Sequence, residues 1–365
     1  MSSGPQQVHV QAHASLDGLV LGDAFGDGWF TRSDEAIEEL WAARQLRPAP
    51  WLWTDDSAMA LVLFAHLTAH GEVRPDGLAS EFAAEYARDQ GRKYGPSMHG
   101  VLRRIGAGED WRTVTTGQFG GQGSYGNGAA MRVAPLGAWF RDDLSVAAEQ
   151  ARLSALTTHA HPEAVAGAMA VAVAAALAAA SADGRDAAPR AEFLREVAAF
   201  VPDSDVRARL LVAAGFPEHT SVRHAASVLG SGTLISAPDT VPFALWSAAG
   251  HPDDLPEALW QTVAGWGDRD TTCAMAGGVV AARTGTGAVP AAWWRACEEI
   301  PAWSGWSGGG GLSGGGGWSG GGGLSGGPAQ DLDPQSPWSL GRHSSAQRPS
   351  STRAGRRAAP VSVRS

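Results

Sequence analysis

Residues 164–180 form an apolar run from end to end, made mainly of Ala and free of charge. A segment of this kind has two possible homes, a bilayer or the middle of a helical body. It is somewhat short of the roughly 20 residues that span a membrane. It also follows closely on His161-Pro162, where proline suits a first helical turn. The run is therefore expected to be a central helix buried on all sides, with no membrane association. A helix that is apolar all round needs other helices around it. The rest of the chain supplies them, because Ala-, Leu- and Val-rich segments at helical spacing recur and no sustained alternation of β-branched and polar residues is found. With 44% hydrophobic residues but only three Tyr and ten Phe among 365, the expectation is an all-α chain of closely packed helices.

The formal charge of -9 and pI near 5.6 argue against a protein built to coat nucleic acid, which would present a basic face. Charge is unevenly placed, since the part from Trp303 onward holds six Arg against two Asp. Two cysteines, Cys273 and Cys297, with no C-x-x-C pair, support neither a thiolate zinc site nor a disulfide framework. They read as plain residues of a reducing, cytoplasmic compartment. Residues 1–14 are polar, show no secretory pattern and are expected to be flexible. The folded domain is expected over 15–302. After it, Trp306, Leu312, Trp318 and Leu324 each open a Ser-Gly repeat of six residues, which reads as a linker over 303–327. The Arg/Ser/Pro-rich part from 328 to 365 reads as a disordered basic tail.

Two acidic clusters stand directly before helices. The first lies in Trp53-Thr54-Asp55-Asp56-Ser57-Ala58-Met59, followed by the apolar run from Ala60 to Ala65, and the second is Gly267-Asp268-Arg269-Asp270-Thr271-Thr272, before a small-residue helix from Cys273 to Arg283. One oxygen-bearing side chain at a helix start is ordinary capping. Three in a row exceed that need, and Thr plus two Asp from each cluster supply six oxygen donors of the kind a hard divalent cation takes. Mg²⁺ or Mn²⁺ follows more naturally than Zn²⁺, and the carboxylates suffice for two ions roughly 3.5–4 Å apart. Earlier, Gly18, Gly22 and Gly26 repeat at four-residue spacing, on a helix that must let a neighbour approach closely.

Two loops complete the set. Gly120-Gly121-Gln122-Gly123-Ser124-Tyr125-Gly126-Asn127-Gly128 tolerates positive φ and can turn N–H groups inward as an anion nest, before a helix expected over 129–137. The segment 91–100 carries Arg92, Lys93 and Tyr94, which would either face an anionic substrate or form a solvated turn. His159 and His161 lack a third soft ligand and read as neutral hydrogen-bonding residues at a helix start.

Five ordered motifs carry a resemblance. Gly22-Asp23-Ala24-Phe25-Gly26, Thr54-Asp55-Asp56-Ser57-Ala58-Met59, the stretch from Gly123 to Arg132, Thr158-His159-Ala160-His161-Pro162 and Gly267-Asp268-Arg269-Asp270-Thr271 occur in an order similar to that of the ADP-ribosylglycohydrolases. These include the dinitrogenase reductase-activating glycohydrolase and hydrolases acting on ADP-ribosylated arginine and serine. The resemblance spans Leu16 to Trp303 and implies a single compact all-α domain with a binuclear Mg²⁺ or Mn²⁺ centre. It puts Thr54, Asp55, Asp56, Asp268, Asp270 and Thr271 on the metals. Gly123, Ser124, Tyr125, Gly126 and Asn127 would surround the diphosphate and distal ribose of ADP-ribose, with His159 nearby. The implied reaction is metal-assisted hydrolysis at the anomeric carbon of the distal ribose, with Asp55 or Asp56 as proton acceptor for the water.

The implied partner is an ADP-ribosylated substrate, protein before nucleic acid, acted on by a monomer. Some serine-specific relatives carry a glutamate soon after the first Gly-Asp, absent here from Gly26-Asp27-Gly28-Trp29-Phe30. Trp266 and Arg269 stand where many relatives have smaller residues, so the acceptor is left open. The alternative is a crystallin-like or ADP-ribose-binding protein on the same fold, without turnover.

Overall fold

Helix Pro162–Ala180 is the apolar run, and thirteen of its residues are buried. It packs against the Ala134–Trp139, Leu144–Leu156, Ala237–Ala248 and Arg269–Thr284 helices, the all-round burial its composition calls for. These coordinates are a computed structural model that describes residues 5–31, 34–182, 184 and 186–300. They fall in one compact helical unit. Among the described residues, extended pairing is limited to two isolated bridges, Trp51 with Cys297 and Gly126 with Ser236. The expected linker over 303–327 and basic tail over 328–365 lie outside the described residues, as do positions 1–4.

The first helix runs from Pro5 to Asp27, so positions 5–14, expected to be flexible, are its opening turns, and Ala12 is fully buried. Polar composition concealed this, because the helix is held by its small-residue face further along. That face meets the Arg269–Thr284 helix backbone to backbone. A Cβ on Gly22 would lie 2.1 Å from the Cys273 carbonyl oxygen, and one on Gly26 2.2 Å from that of Arg269. In return, a Cβ on Gly277 would lie 2.3 Å from the Gly18 carbonyl. The glycines at four-residue spacing thus bring Asp23 and Asp27 to the start of the helix that carries Asp270. Phe25 anchors the same end, stacked on Trp293 at 4.8 Å and edge-on to Trp29, Trp51 and Trp260.

The Asp55–His70 helix begins where the first acidic cluster predicts, capped by the Thr54 side chain accepting from Asp56 N and closed by Gly71 at φ 73°. The expected helix over 129–137 is instead a 3₁₀ turn, Asn127–Ala129, and a separate helix, Ala134–Trp139. Pro135 starts the second piece, as proline does at a first turn. Between them the fully buried Arg132 reaches Ser154 O at 2.7 Å and Gly128 O at 3.4 Å.

Candidate metal and substrate site

The two acidic clusters meet. Thr271 Oγ1 donates to Asp56 Oδ2 at 3.4 Å, and Thr54 Oγ1 lies 3.0 Å from the same oxygen. Asp23, Asp56 and Asp270 each offer an oxygen, all within 4.8 Å of one another. Asp23 carries much of the assembly: its Oδ2 accepts from the N–H groups of Thr54 and Ser57 and from Ser57 Oγ, and its Oδ1 from Thr54 Oγ1. It therefore fixes the first cluster in place as well as adding charge. Motif order alone did not assign Asp23 a role. Its position on the glycine-lined helix face, one step from Gly22, was the available signal.

Such a group is unstable alone. Burial and then mutual repulsion hold the Asp55, Asp56 and Asp270 carboxyls well above the usual range, while burial pushes Asp23 up to about 6. Asp268 is also raised by burial, against hydrogen bonds that pull it down. Asp56 Oδ1 is buried with no hydrogen-bond partner, an arrangement that costs free energy unless a cation faces it. An all-oxygen set of carboxylates and Thr hydroxyls with one bare buried oxygen fits a hard divalent ion. A second donor group, His66, His70 and Glu81, lies on another part of the surface. There His66 Nε2 accepts from Arg74 N, so Nδ1 carries the proton and donates to Glu81; both ring nitrogens are used within the protein.

The glycine loop closes the Asp268 edge. Asn127 Nδ2 donates to Asp268 Oδ2 at 2.7 Å and to Thr240 Oγ1 at 3.1 Å. Tyr125 O accepts from Ala237 N and Asn127 N donates to Ile235 O, which pins the loop to the segment before the Ala237–Ala248 helix. Gly123 sits at φ 76°, and the N–H groups of Gly123, Gly126 and Asn127 are taken by Gln118 O, Ser124 Oγ and Ile235 O. Those of Ser124 and Tyr125 have no partner among the described residues. Around the loop Phe119, Tyr125, Leu234 and Ile235 are exposed, and Phe119 and Ile235 hold positive φ without being glycine.

His159 lies beneath the loop, buried, with Nδ1 on Thr158 Oγ1 at 2.8 Å. A Cβ on Gly128 would approach its Cε1 to 2.9 Å, so glycine there lets the chain rest on the ring. Burial, with the nearby Arg132, lowers His159 to about 3, keeping the imidazole neutral. His161 caps the long helix by accepting from Glu163 N. In the 91–100 segment neither expectation is met in full. Arg92 stacks 3.3 Å from the Trp53 ring centroid and bonds Glu298 and Asp89; Lys93 meets Asp27; Tyr94 is buried.

A family model for ADP-ribosylglycohydrolase matches residues 5–309. The chain is 28% identical to the chicken (Gallus gallus) ADP-ribosylhydrolase ARH3, over 78% of this chain and 88% of that protein. It is 29% identical to the Homo sapiens ARH3 with the same coverage of each. An ADP-ribosylarginine hydrolase, Tri1 of Pseudomonas putida, is 30% identical over 44% of each chain. A solved ADP-ribosylglycohydrolase-related protein complex matches the fold with a TM-score of 0.56 at 24% identity, covering 80% of this chain and 94% of that one. The chain belongs to the ADP-ribosylglycohydrolase family and is a glycosyl hydrolase.

Proposed function

We propose that this protein is a divalent-metal-dependent hydrolase that cleaves the glycosidic bond at the anomeric carbon of the distal ribose, releasing ADP-ribose from a modified protein side chain. The observation that carries the reading is the junction of the two acidic clusters around the bare Asp56 Oδ1. Thr54, Asp55, Asp56, Asp268, Asp270 and Thr271 would hold two Mg²⁺ or Mn²⁺ ions, with Asp23 bracing the set. Bound there, the ions would supply positive charge for the ribose hydroxyls and lower the proton affinity of a water.

The chain's own residues divide the remaining work. Asp56 is 2% exposed and lies against the Thr54 and Thr271 hydroxyls, so it is suited to ligation, whereas Asp55 is half-buried and better placed to accept a proton from the attacking water. The N–H groups of Ser124 and Tyr125, in the Gly123 to Asn127 loop, would take the diphosphate. Neutral His159 supports that loop from below. The exposed apolar faces of Phe119, Tyr125 and Ile235 suit the adenine.

The test is ADP-ribose release from ADP-ribosyl-arginine and ADP-ribosyl-serine peptides, with and without Mg²⁺ or Mn²⁺. Asp56→Ala and Asp270→Ala are each expected to lose more than about a hundredfold in turnover. Full activity after chelation, or in either variant, would overturn the metal assignment.

A further inference from the structure

Two loops reach the carboxylate cluster at different places. The loop holding Asn127 meets it at Asp268, while the 91–95 segment meets it at Asp27, which pairs with Lys93, and passes beside Asp55 at Tyr94 and Gly95. If the diphosphate lies on the first loop, the Asp55 and Asp27 edge is where the acceptor leaves.

Asp27 is an unusual residue for its place. It ends the Pro5–Asp27 helix, where carbonyl dipoles already present negative charge, and it lies one turn beyond Asp23, whose carboxyl it pushes up. It is 8% exposed. Its compensation comes from a separate segment, and Lys93 takes a left-handed φ of 61° where it makes that contact. The Lys93 side chain is nonetheless 58% exposed, so its ammonium is held at the cluster by Asp27 and presented to solvent as well. Other cations near this edge are committed inward: Arg132 and Arg269 are buried, and Arg92 is bound to Glu298 and Asp89.

We infer that Lys93, held by Asp27, is a specificity-determining residue that disfavours acceptors carrying positive charge next to the scissile bond. This rests on the hydrolase reading above. A fixed ammonium at this edge repels a guanidinium leaving group and leaves a neutral hydroxyl acceptor untouched, and it also neutralises Asp27, the edge carboxylate outside the proposed ligand set, which could otherwise attract the cation. Because Lys93 faces solvent, the discrimination is several-fold and is weakened by salt.

The test uses the full-length, metal-loaded protein and measures kcat/KM for arginine-linked and serine-linked ADP-ribosyl peptides. In Lys93→Met the arginine-to-serine ratio is expected to rise at least about threefold, and in Lys93→Arg to stay at the wild-type value. In the wild type the ratio should climb between about 0.05 and 0.5 M salt, and in Lys93→Met it should fall as salt screens the uncovered Asp27. A Lys93→Met protein that melts normally and turns over both peptides in the wild-type ratio, or loses both rates together, overturns the inference alone. A wild type that releases ADP-ribose from neither peptide overturns the hydrolase reading and this inference with it.

Discussion

Asn127 stands between the two halves of the site. Its amide nitrogen is shared by Asp268 and Thr240, and its backbone is pinned to Ile235, so it orients a carboxylate of the cluster from within the glycine-rich loop. Groups that orient a metal ligand are generally worth 10–100-fold in affinity or activity. Asn127→Ala is therefore expected to need about 10–100 times more Mg²⁺ for half-maximal activity, measured by metal titration at saturating substrate. A purely substrate-binding Asn127 would instead raise KM and leave the metal midpoint where it was. The same reasoning separates Asp55 from Asp56. Asp55→Asn keeps size but removes the base and weakens one ligand, so it is expected to lower kcat by about 10²–10⁴ even at saturating Mg²⁺, with metal binding weakened in calorimetry. Recovery of the wild-type kcat by excess Mg²⁺ alone would make Asp55 a ligand and not a base.

The helix crossing is what assembles the cluster. Gly22→Ala would drive a methyl group to 2.1 Å from the Cys273 carbonyl, and backbone on both sides leaves no flexible side chain to give way. Overpacking of this kind costs about 1–3 kcal/mol, occasionally more, and a thermal scan should show the melting temperature fall by several degrees. The loss should exceed that from Gly100→Ala, where a Cβ meets nothing within 4 Å. Equal melting of the two variants would contradict the close crossing.

This contact also marks how far the chain could be read. Glycine spacing and the apolar run at 164–180 are local patterns, so the helices and the need for a close neighbour were legible from them. Which neighbour, and hence the role of Asp23, depends on a crossing between residues some 250 positions apart, where no local pattern reaches. Arg92 and Lys93 illustrate the same limit. Their charge pointed toward an anionic ligand, but Glu298, Asp89 and Asp27 reach them first, and that competition exists only after folding. The burial of Ala12 and of Arg132 was not legible because distant segments impose it.

At the scale of the whole molecule, the cluster sets a pH-dependent cost on the fold. Asp23 has a carboxyl raised to about 6 against an ordinary value of 3.8, and Asp55, Asp56 and Asp270 are raised too, all chiefly by burial. A group whose folded value exceeds its unfolded one holds a proton in the fold that the unfolded chain releases. Its stabilising contribution is present below about 4 and is lost as pH rises through the folded value. For Asp23 alone the span corresponds to a contribution on the order of 3 kcal/mol. Without divalent ions the protein should therefore weaken as pH rises from about 4 through the Asp23 value of about 6, as the carboxylates ionise against one another. With ions bound, the same ionisation creates ligands, and metal affinity grows with pH because protons no longer compete. The gain in melting temperature from saturating Mg²⁺ over chelator should consequently be small at pH 5 and reach several degrees at pH 8. Subtracting the chelated curve cancels titrations remote from the site. A gain of the same size at both pH values would mean that the ions are not held by these buried carboxylates, and would send the metal assignment to another part of the molecule.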